Sequence, residues 1–183
     1  LVDAVRERVA KKKAQTEEWL GVQEEAHRQG MRTSVTMMYG MGESNADRIE
    51  HLLKIRDLQA RTGGFTAFIC WPLQPEGTPM FDGTAKTDAV TYLRTLAMGR
   101  IICRNIPNMQ SSWVTMGHKV GQVALRFGAN DYGSLMMEEN VVSAAGTTYR
   151  ATLEEMERMI TDAGFTARRR RQDYSLIEEA AVA

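Results

Sequence analysis

The stretch "FTAFICW" at residues 65–71 constrains the fold most, because it is β-prone and almost entirely apolar. A strand without polar alternation is buried on both faces, as in a parallel sheet that helices cover. Residues 32–39 and 107–115 are predicted strands on either side of it. Helical patterns lie between these stretches, and this alternation predicts parallel strands joined by right-handed crossovers. The predicted fold class is therefore α/β.

The predicted strand–helix units are too few for a complete eight-unit barrel, which usually needs about 250 residues. The chain is therefore either a small open α/β sheet or about half of a barrel, and a first element that begins in mid-pattern favours the half-barrel. Residues 128–134 predict a fourth strand or a short link, and residues 165–177 predict an edge strand whose arginines at 168–171 are solvated. Helices are predicted at residues 1–9, 16–29, 44–60, 87–105, 117–127 and 152–162. The predicted N-caps are Thr16 for the second helix, Ser44 or Asn45 for the third and Thr87 for the fourth, and the last helix opens with a capping box. The fourth helix carries a predicted apolar stripe of Val90, Leu93, Ala97 and Ile101.

Charge and cysteine content exclude several classes of protein. Lysine plus arginine balance aspartate plus glutamate at 23 each, so no whole-chain charge favours nucleic acid or an anionic membrane as partner. No apolar run approaches the ~20 residues that cross a bilayer, and the charged first residues are not a signal peptide. They also lack an initiator Met, so the true start is expected upstream. Only Cys70 and Cys103 are present, which favours the cytoplasm, and His27, His51 and His118 lack ligand spacing, so no metal site is predicted.

The candidate site lies where the predicted strands end, because α/β folds place their chemistry at the carboxyl ends of parallel strands. The first strand breaks into Gly40 and Gly42, which allow close approach of a ligand to the backbone. Glu43 follows. Its carboxylate either faces a ligand or is stabilised by the positive N-terminal end of the next helix. The residues alone therefore indicate an α/β domain whose strand ends bind a small organic molecule.

Five blocks resemble the cyclic dehypoxanthine futalosine synthase family of the radical S-adenosylmethionine superfamily, which acts in the futalosine route to menaquinone. They occur in order over nearly the whole chain: "GMRTSVTMMYGMGES", "GGFTAFICWPLQPEGT", "NIPNMQSSWVTMG", "KVGQVALRFGANDYGS" and "MEENVVSAAG". The superfamily's C-x3-C-x2-C motif, which holds a four-iron, four-sulfur cluster, is absent from the sequence. The resemblance therefore implies the carboxyl-terminal half of the enzyme, a single partial domain at residues 1–183 that is half of a TIM-like (β/α) barrel.

The resemblance also implies cofactors, a substrate and partners. The cofactors are S-adenosylmethionine and the iron–sulfur cluster, whose ligands would precede Leu1. The substrate is dehypoxanthine futalosine, and the full enzyme would need an electron donor. Because two cysteines cannot supply three clustered thiolates, the isolated chain is expected to be inactive.

Roles of single residues are implied in the same way. A loose family motif along the adenosine of S-adenosylmethionine falls on Thr36, Met38, Gly40 and Glu43. Asp131, Glu138 and Glu139 are the implied candidates for the proton-accepting base. The implied substrate contacts are Trp71, Gln110, Ser112, Trp113, Thr115 and Asn130. Met116 and His118 depart from the usual family residues.

Two alternatives stay open. One is a related radical S-adenosylmethionine synthase that forms aminofutalosine or the deazaflavin precursor of cofactor F420. The "SSWVTMG" and "GANDYGS" blocks favour the cyclase over it. The other is a non-catalytic α/β domain that binds a small ligand, which the missing cysteines favour and the long linear resemblance opposes.

Overall fold

The computed structural model describes residues 1–78, 83–136, 144, 146 and 149–177. It is a small α/β structure with a three-stranded parallel sheet in the order β1-β2-β3. The strands are β1 (Thr33–Tyr39), β2 (Phe65–Pro72) and β3 (Asn108–Gln110). The helices are α1 (Asp3–Val9), α2 (Thr16–Arg28), α3 (Asn45–Thr62), α4 (Ala89–Ile102), α5 (Trp113–Met116), α6 (His118–Ala124) and α7 (Leu153–Asp162). The prediction of at least three parallel strands is confirmed.

The two faces of the sheet differ in environment. Along β1, Val35, Met37 and Tyr39 are buried, while Thr36 and Met38 are exposed on the other side. Residues in register on neighbouring parallel strands project to the same face. Thr36 pairs with Ile69 and Met38 with Trp71, and Ile69 pairs in turn with Gln110. We call the surface formed by Thr36, Met38, Ile69, Trp71 and Gln110 the open face.

The opposite face of the sheet packs against helices α3 and α4. Leu52, Ile55 and Leu58 of α3 are fully buried there. On α4, Gly99 permits a close approach, because a Cβ at this position would lie 2.9 Å from the ring of Phe68. Burial of this apolar surface is the main stabilising contribution of the core. The remaining buried partners in this layer include Val35, Met37, Tyr39, Phe68, Cys70, Tyr92, Leu96 and Met109.

Helix α4 is rotated relative to the sequence-based expectation. Val90 and Ile101 belong to the predicted apolar stripe, yet they are 63% and 75% exposed. The buried positions are instead Tyr92, Thr95, Leu96 and Gly99. Small residues bring the helix close to the sheet, and the Thr95 hydroxyl donates to the Thr91 carbonyl at 2.8 Å, which satisfies it inside the core. The predicted stripe is therefore wrong at Val90 and Ile101, whereas Leu93 packs against the core as expected.

Helix caps follow hydrogen bonding rather than the nearest threonine. Ser44 caps α3, one of the two predicted candidates, and it also forms a capping box with Asp47. The cap of α2 is Gln15 instead of Thr16, because both the N–H and the hydroxyl of Thr16 donate to Asp3. The cap of α4 is Asp88 instead of Thr87. At α7 the expected capping box of Thr152 and Glu155 is present.

The third strand and its successors are shorter than predicted. Residue 110 ends β3, and α5 begins at Trp113, so Ser111 to Thr115 do not continue the strand. The helix predicted at 117–127 covers only His118–Ala124. The stretch 128–134 pairs with β3 only through one parallel bridge, between Gln110 and Asp131. Of the two predicted alternatives, it is therefore the short link and not a fourth strand. The expected edge strand at 165–177 is wrong, because its one bridge, Arg170 to Leu176, closes the segment on itself.

Among the residues that the structure describes, no helix is both long and apolar enough to cross a membrane.

Candidate functional site at the strand ends

The turn after β1 is closed by the carboxylate of Glu43. Its two oxygens accept the N–H groups of Gly40 at 2.9 Å and Met41 at 2.8 Å. The guanidinium of Arg48 adds bonds at 2.8 Å and 2.7 Å, with only 7% of the Glu43 side chain and 11% of the Arg48 side chain exposed. Gly40 and Gly42 both have positive φ, which this tight turn requires. Glu43 therefore builds the turn, and a cofactor contact by this carboxylate stays a prediction.

Arg48 joins this turn to the core. Its guanidinium lies 4.6 Å from the centroid of the Tyr39 ring and donates to the Thr95 hydroxyl at 3.2 Å. Burial by itself would raise the pKa of Glu43, but the backbone N–H donors of the turn and Arg48 together lower it below its usual range. The pair is therefore a charged bridge between α3, β1 and α4.

A cleft of about 490 Å³ runs along β1, and residues from both faces of this edge strand line it. Thr36, Met38 and Glu43 line it together, so three of the four predicted cofactor residues share one cavity. Val5 and Val9 of α1 form part of its other side. Gly40 lies apart from it, since a Cβ there would meet the Thr87 hydroxyl at 2.9 Å. Met38 and these valines make part of the cleft apolar.

The carboxyl end of β3 leads into a short helix whose polar groups are largely used internally. The hydroxyls of Ser112 and Thr115 lie 2.7 Å apart, and Thr115 also donates to the Ser112 carbonyl. Trp113 is 1% exposed and stacks on His118 with 5.1 Å between ring centroids. Its indole N–H is buried without a hydrogen-bond partner in the described part of the chain. Gln110, in contrast, is half-buried on the open face.

Asp131 lies beside β3 and is held from two sides. Its carboxylate forms an ion pair with Arg170 and accepts the N–H of Gly133 at 2.7 Å. Its backbone carbonyl accepts the N–H of Ser111 at 2.8 Å. The side chain is 6% exposed, so this carboxylate is a buried partner rather than a free base. Glu138 and Glu139, the other predicted bases, lie outside the described residues.

Asn130 braces the backbone that leads into β3. Its Oδ1 accepts from the Met109 N–H at 2.8 Å and from Arg100 at 2.7 Å, and its Nδ2 donates to the Pro107 carbonyl at 3.1 Å. These bonds use the amide for internal structure. The substrate contact predicted for Asn130 therefore stays a prediction.

The structure brings Thr36, Met38, Trp71 and Gln110 onto one surface, the open face. The other predicted site residues lie behind or beside the open face, and most of them form hydrogen bonds or ion pairs within the protein. They are Glu43, Ser112, Trp113, Thr115, Asn130 and Asp131. Sequence reasoning missed the partners Arg48 and Arg170. Arg48 follows Glu43 by five residues and could have been found from that spacing, whereas no local signal links Arg170 to Asp131.

A smaller polar cleft of about 300 Å³ lies at the ends of β2 and β3. Thr115, predicted to contact substrate, lines it beside the buried Gln74. Lys86 also lines it and pairs with Glu76 at 2.9 Å.

The cysteines do not fit an iron–sulfur cluster. Cys70 and Cys103 are free and buried, and burial raises the pKa of each thiol to about 12. Cluster ligands are thiolates, so this environment opposes ligation. Within residues 1–78, 83–136, 144, 146 and 149–177, no group of three or more His, Cys, Asp or Glu side chains could hold a metal ion.

Comparison with known proteins identifies relatives over nearly the whole chain. A family model described as the CofH/MqnC C-terminal region matches residues 62–182. The chain is 44% identical over 177 residues to the cyclic dehypoxanthine futalosine synthase of Halalkalibacterium halodurans, covering 97% of the chain and 48% of that protein. It is 43% identical over 174 residues to the cyclic dehypoxanthine futalosine synthase of Streptomyces coelicolor, covering 95% of the chain and 43% of that protein.

A second kind of relative is somewhat less similar. The 5-amino-6-(D-ribitylamino)uracil–L-tyrosine 4-hydroxyphenyl transferase 1 of Methanosarcina barkeri is 38% identical over 189 residues, with 99% of this chain and 50% of the transferase covered. The chain thus spans about half the length of the curated relatives it matches.

Proposed function

This chain belongs to the CofH/MqnC C-terminal region family, and we propose that it is the carboxyl-terminal part of a cyclic dehypoxanthine futalosine synthase. The identity of 44% and 43% to two such synthases, over 97% and 95% of the chain, carries the proposal. In this reading the enzyme is a radical S-adenosylmethionine cyclase of the futalosine route to menaquinone. The isolated chain would be inactive, because the cluster ligands would come from outside it.

The sheet fits one part of a (β/α) barrel. Its strands are parallel, helices cover one face, and Asp131 pairs with Gln110 as the start of a next parallel strand would. In a closed barrel the open face would turn inward, as the packed or ligand-lined interior does in such folds. Residues 1–183 would then be a single partial domain.

The open face would bind the substrate. Trp71 offers apolar surface to an aromatic ring, and the Gln110 amide can hydrogen-bond its oxygen atoms. The apolar neighbours would also keep water from the reacting atoms. Ser112, Trp113 and Thr115 would support this surface from the end of β3.

S-adenosylmethionine would bind along the cleft at β1, where Thr36 and Met38 would contact its adenosine. When bound at an iron–sulfur cluster, this cofactor supplies the radical chemistry that the protein itself lacks. This chain would hold and orient the substrate. Because Asp131 already pairs with Arg170 and Gly133, we assign the proton-accepting role to Glu138 or Glu139.

The proposed setting is the cytoplasm, with an electron donor as the partner of the complete enzyme. The balanced net charge supports a small-molecule substrate over nucleic acid or a membrane surface.

A second candidate function is that of the archaeal relative, a 4-hydroxyphenyl transfer from tyrosine to a ribitylaminouracil. The 38% identity over 99% of the chain favours it over unrelated activities. The substrates of both enzymes carry aromatic and hydroxylated groups, so the open face suits either set. The substrate preference separates them.

The test is a chimera in which this chain replaces the matching half of the Halalkalibacterium halodurans synthase. After anaerobic cluster reconstitution, it is offered dehypoxanthine futalosine, or tyrosine with 5-amino-6-(D-ribitylamino)uracil, and products are identified by mass spectrometry. We expect cyclic dehypoxanthine futalosine from the first substrate only. Product from the second mixture alone, or none while the parent synthase is active and the chimera is folded, would contradict the proposal.

A further inference from the structure

The four arginines at 168–171 are not equivalent in the structure. Arg168, Arg169 and Arg171 are exposed, in agreement with the solvated charge that the sequence predicts. Arg169 pairs with Glu157 at the surface, with half of its side chain exposed. Arg170 is different, because only 16% of its side chain is exposed.

Arg170 turns inward and reaches Asp131, 39 residues away in sequence. Its Nε and Nη2 groups bond separate oxygens of the carboxylate, the second at 3.1 Å, in the fork arrangement that arginine favours. Its guanidinium also lies 4.1 Å from the centroid of the Tyr174 ring. The segment after α7 is thereby fastened to the carboxyl end of β3.

A chain of contacts connects Asp131 to the candidate substrate surface. The Asp131 carboxylate accepts the N–H of Gly133, which has a φ of 115°. A Cβ at Gly133 would lie 3.1 Å from Nε1 of Trp113 and 3.4 Å from Nε2 of Gln110. The backbone of Gly133 therefore rests directly against both side chains. Movement of this turn must change the space available to them.

We propose that Arg170 is a positioning residue that acts through Asp131 and Gly133 to hold Gln110 and Trp113 in place for the substrate. Arg170 contacts neither side chain itself. The identity of the substrate rests on the proposed function, whereas the mechanical link from Arg170 to the turn stands without it. A surface arginine would have no such effect.

The first arm of the test uses the 183-residue chain and nitrogen-15 NMR. In Arg170→Gln we expect amide hydrogen exchange at Gly133 to rise ~10-fold or more, since the carboxylate that holds this N–H loses its anchor. The indole N–H signal of Trp113 should shift, and that of Trp19, which is remote from the turn, should not. Arg168→Gln is the matched control and should change neither signal. Arg170→Lys keeps the charge but not the fork, so an intermediate effect is expected even if the glutamine variant unfolds.

The second arm uses the chimera with dehypoxanthine futalosine. Misplaced Gln110 and Trp113 should raise KM ~10-fold, because the substrate then loses well-oriented contacts that it needs to bind. A purely structural role would lower the amount of active enzyme and leave KM unchanged. Unchanged Gly133 exchange in both Arg170 variants, or faster exchange with an unchanged KM, would overturn the proposal. A folded chimera that is inactive before any substitution, while the parent synthase is active, refutes the proposed function, and the exchange result then decides the link alone.

Discussion

The end of β1 and the link at 128–134 beside the end of β3 are built from similar parts. Each has a glycine-containing turn, a carboxylate that accepts one or two of the turn's N–H groups, and an arginine that neutralises the carboxylate. At β1 these are Glu43 and Arg48, and at β3 they are Asp131 and Arg170. In both pairs the carboxylate side chain is less than a tenth exposed. A buried carboxylate needs such partners, because it is costly to bury without compensation.

The two ends differ in how the arginine is supplied. Arg48 comes from the helix that directly follows the turn, five residues after Glu43. Arg170 comes from a segment 39 residues further along the chain than Asp131. The first turn is therefore stabilised by local sequence and can form with α3. The second depends on a tertiary contact, so its geometry can be changed from a distance.

The largest effect is expected from breaking the local bridge. Arg48→Ala leaves Glu43 buried beside an empty space and removes the contacts with Tyr39 and Thr95. Breaking a buried ion pair from one side typically costs about 3–5 kcal/mol. Urea unfolding should show this loss in the free energy of unfolding. Arg56→Ala removes an exposed pair with Asp57 and should leave the midpoint unchanged; equal effects of the two changes would contradict the bridge.

Breaking the distant bridge should cost less. Asp131→Asn removes the negative charge that pairs with Arg170. Arg170 is the more exposed side chain of the pair, so water can solvate its guanidinium in the variant. We expect a loss of ~2 kcal/mol, close to that of an unsatisfied hydrogen bond to a charged group. The same urea series measures it. A larger loss than that of Arg48→Ala would reverse the order of the two strand ends.

The two turns should also respond differently to an added methyl group. Gly42→Ala and Gly133→Ala both force an alanine into positive φ, which costs about 1–2 kcal/mol in each case. At Gly42 the new Cβ meets only the end of the Arg8 side chain at 3.5 Å, whereas at Gly133 it meets the buried Trp113 at 3.1 Å. Gly133→Ala should therefore lower the free energy of unfolding by a further ~1 kcal/mol. Equal losses would mean that the Trp113 ring yields without strain.

The smallest effect is the pH dependence of the β1 bridge. The pKa of Glu43 is lowered in the folded chain from an ordinary value of 4.5. The stabilisation is therefore complete above pH 4.5 and is lost as the pH falls through the folded value. The stability difference between the wild type and Glu43→Gln should shrink as the pH falls from about 6 to 3. A difference that is constant over this range would show that Glu43 does not titrate with unfolding.

Some of this arrangement can be predicted from the sequence. The strands at 33–39 and 65–72 follow from long β-prone runs, and the cap of α3 follows from Ser44 and Asp47. The buried face of α4 cannot be predicted in this way, because close packing of the small residues Thr95 and Gly99 against the sheet decides which side of the helix is buried, and not the position of its larger apolar residues. The bridge from Arg170 to Asp131 has no local signal, since tertiary folding alone brings the two together. The resemblance assigned Thr36 and Met38 to the cofactor and Trp71 and Gln110 to the substrate, and register explains why the four share a face.

The central claim is that the open face binds the substrate and the cofactor, and the two methionines of β1 test it most directly. Met38 lies on the open face and Met37 on the helix-covered face, one residue away. Methyl-labelled methionine in the chimera can be followed by NMR as S-adenosylmethionine and dehypoxanthine futalosine are added together. The methyl signal of Met38 should shift with saturation while that of Met37 stays in place. A shift of Met37 alone, or of neither methionine while both ligands are bound, would contradict the claim.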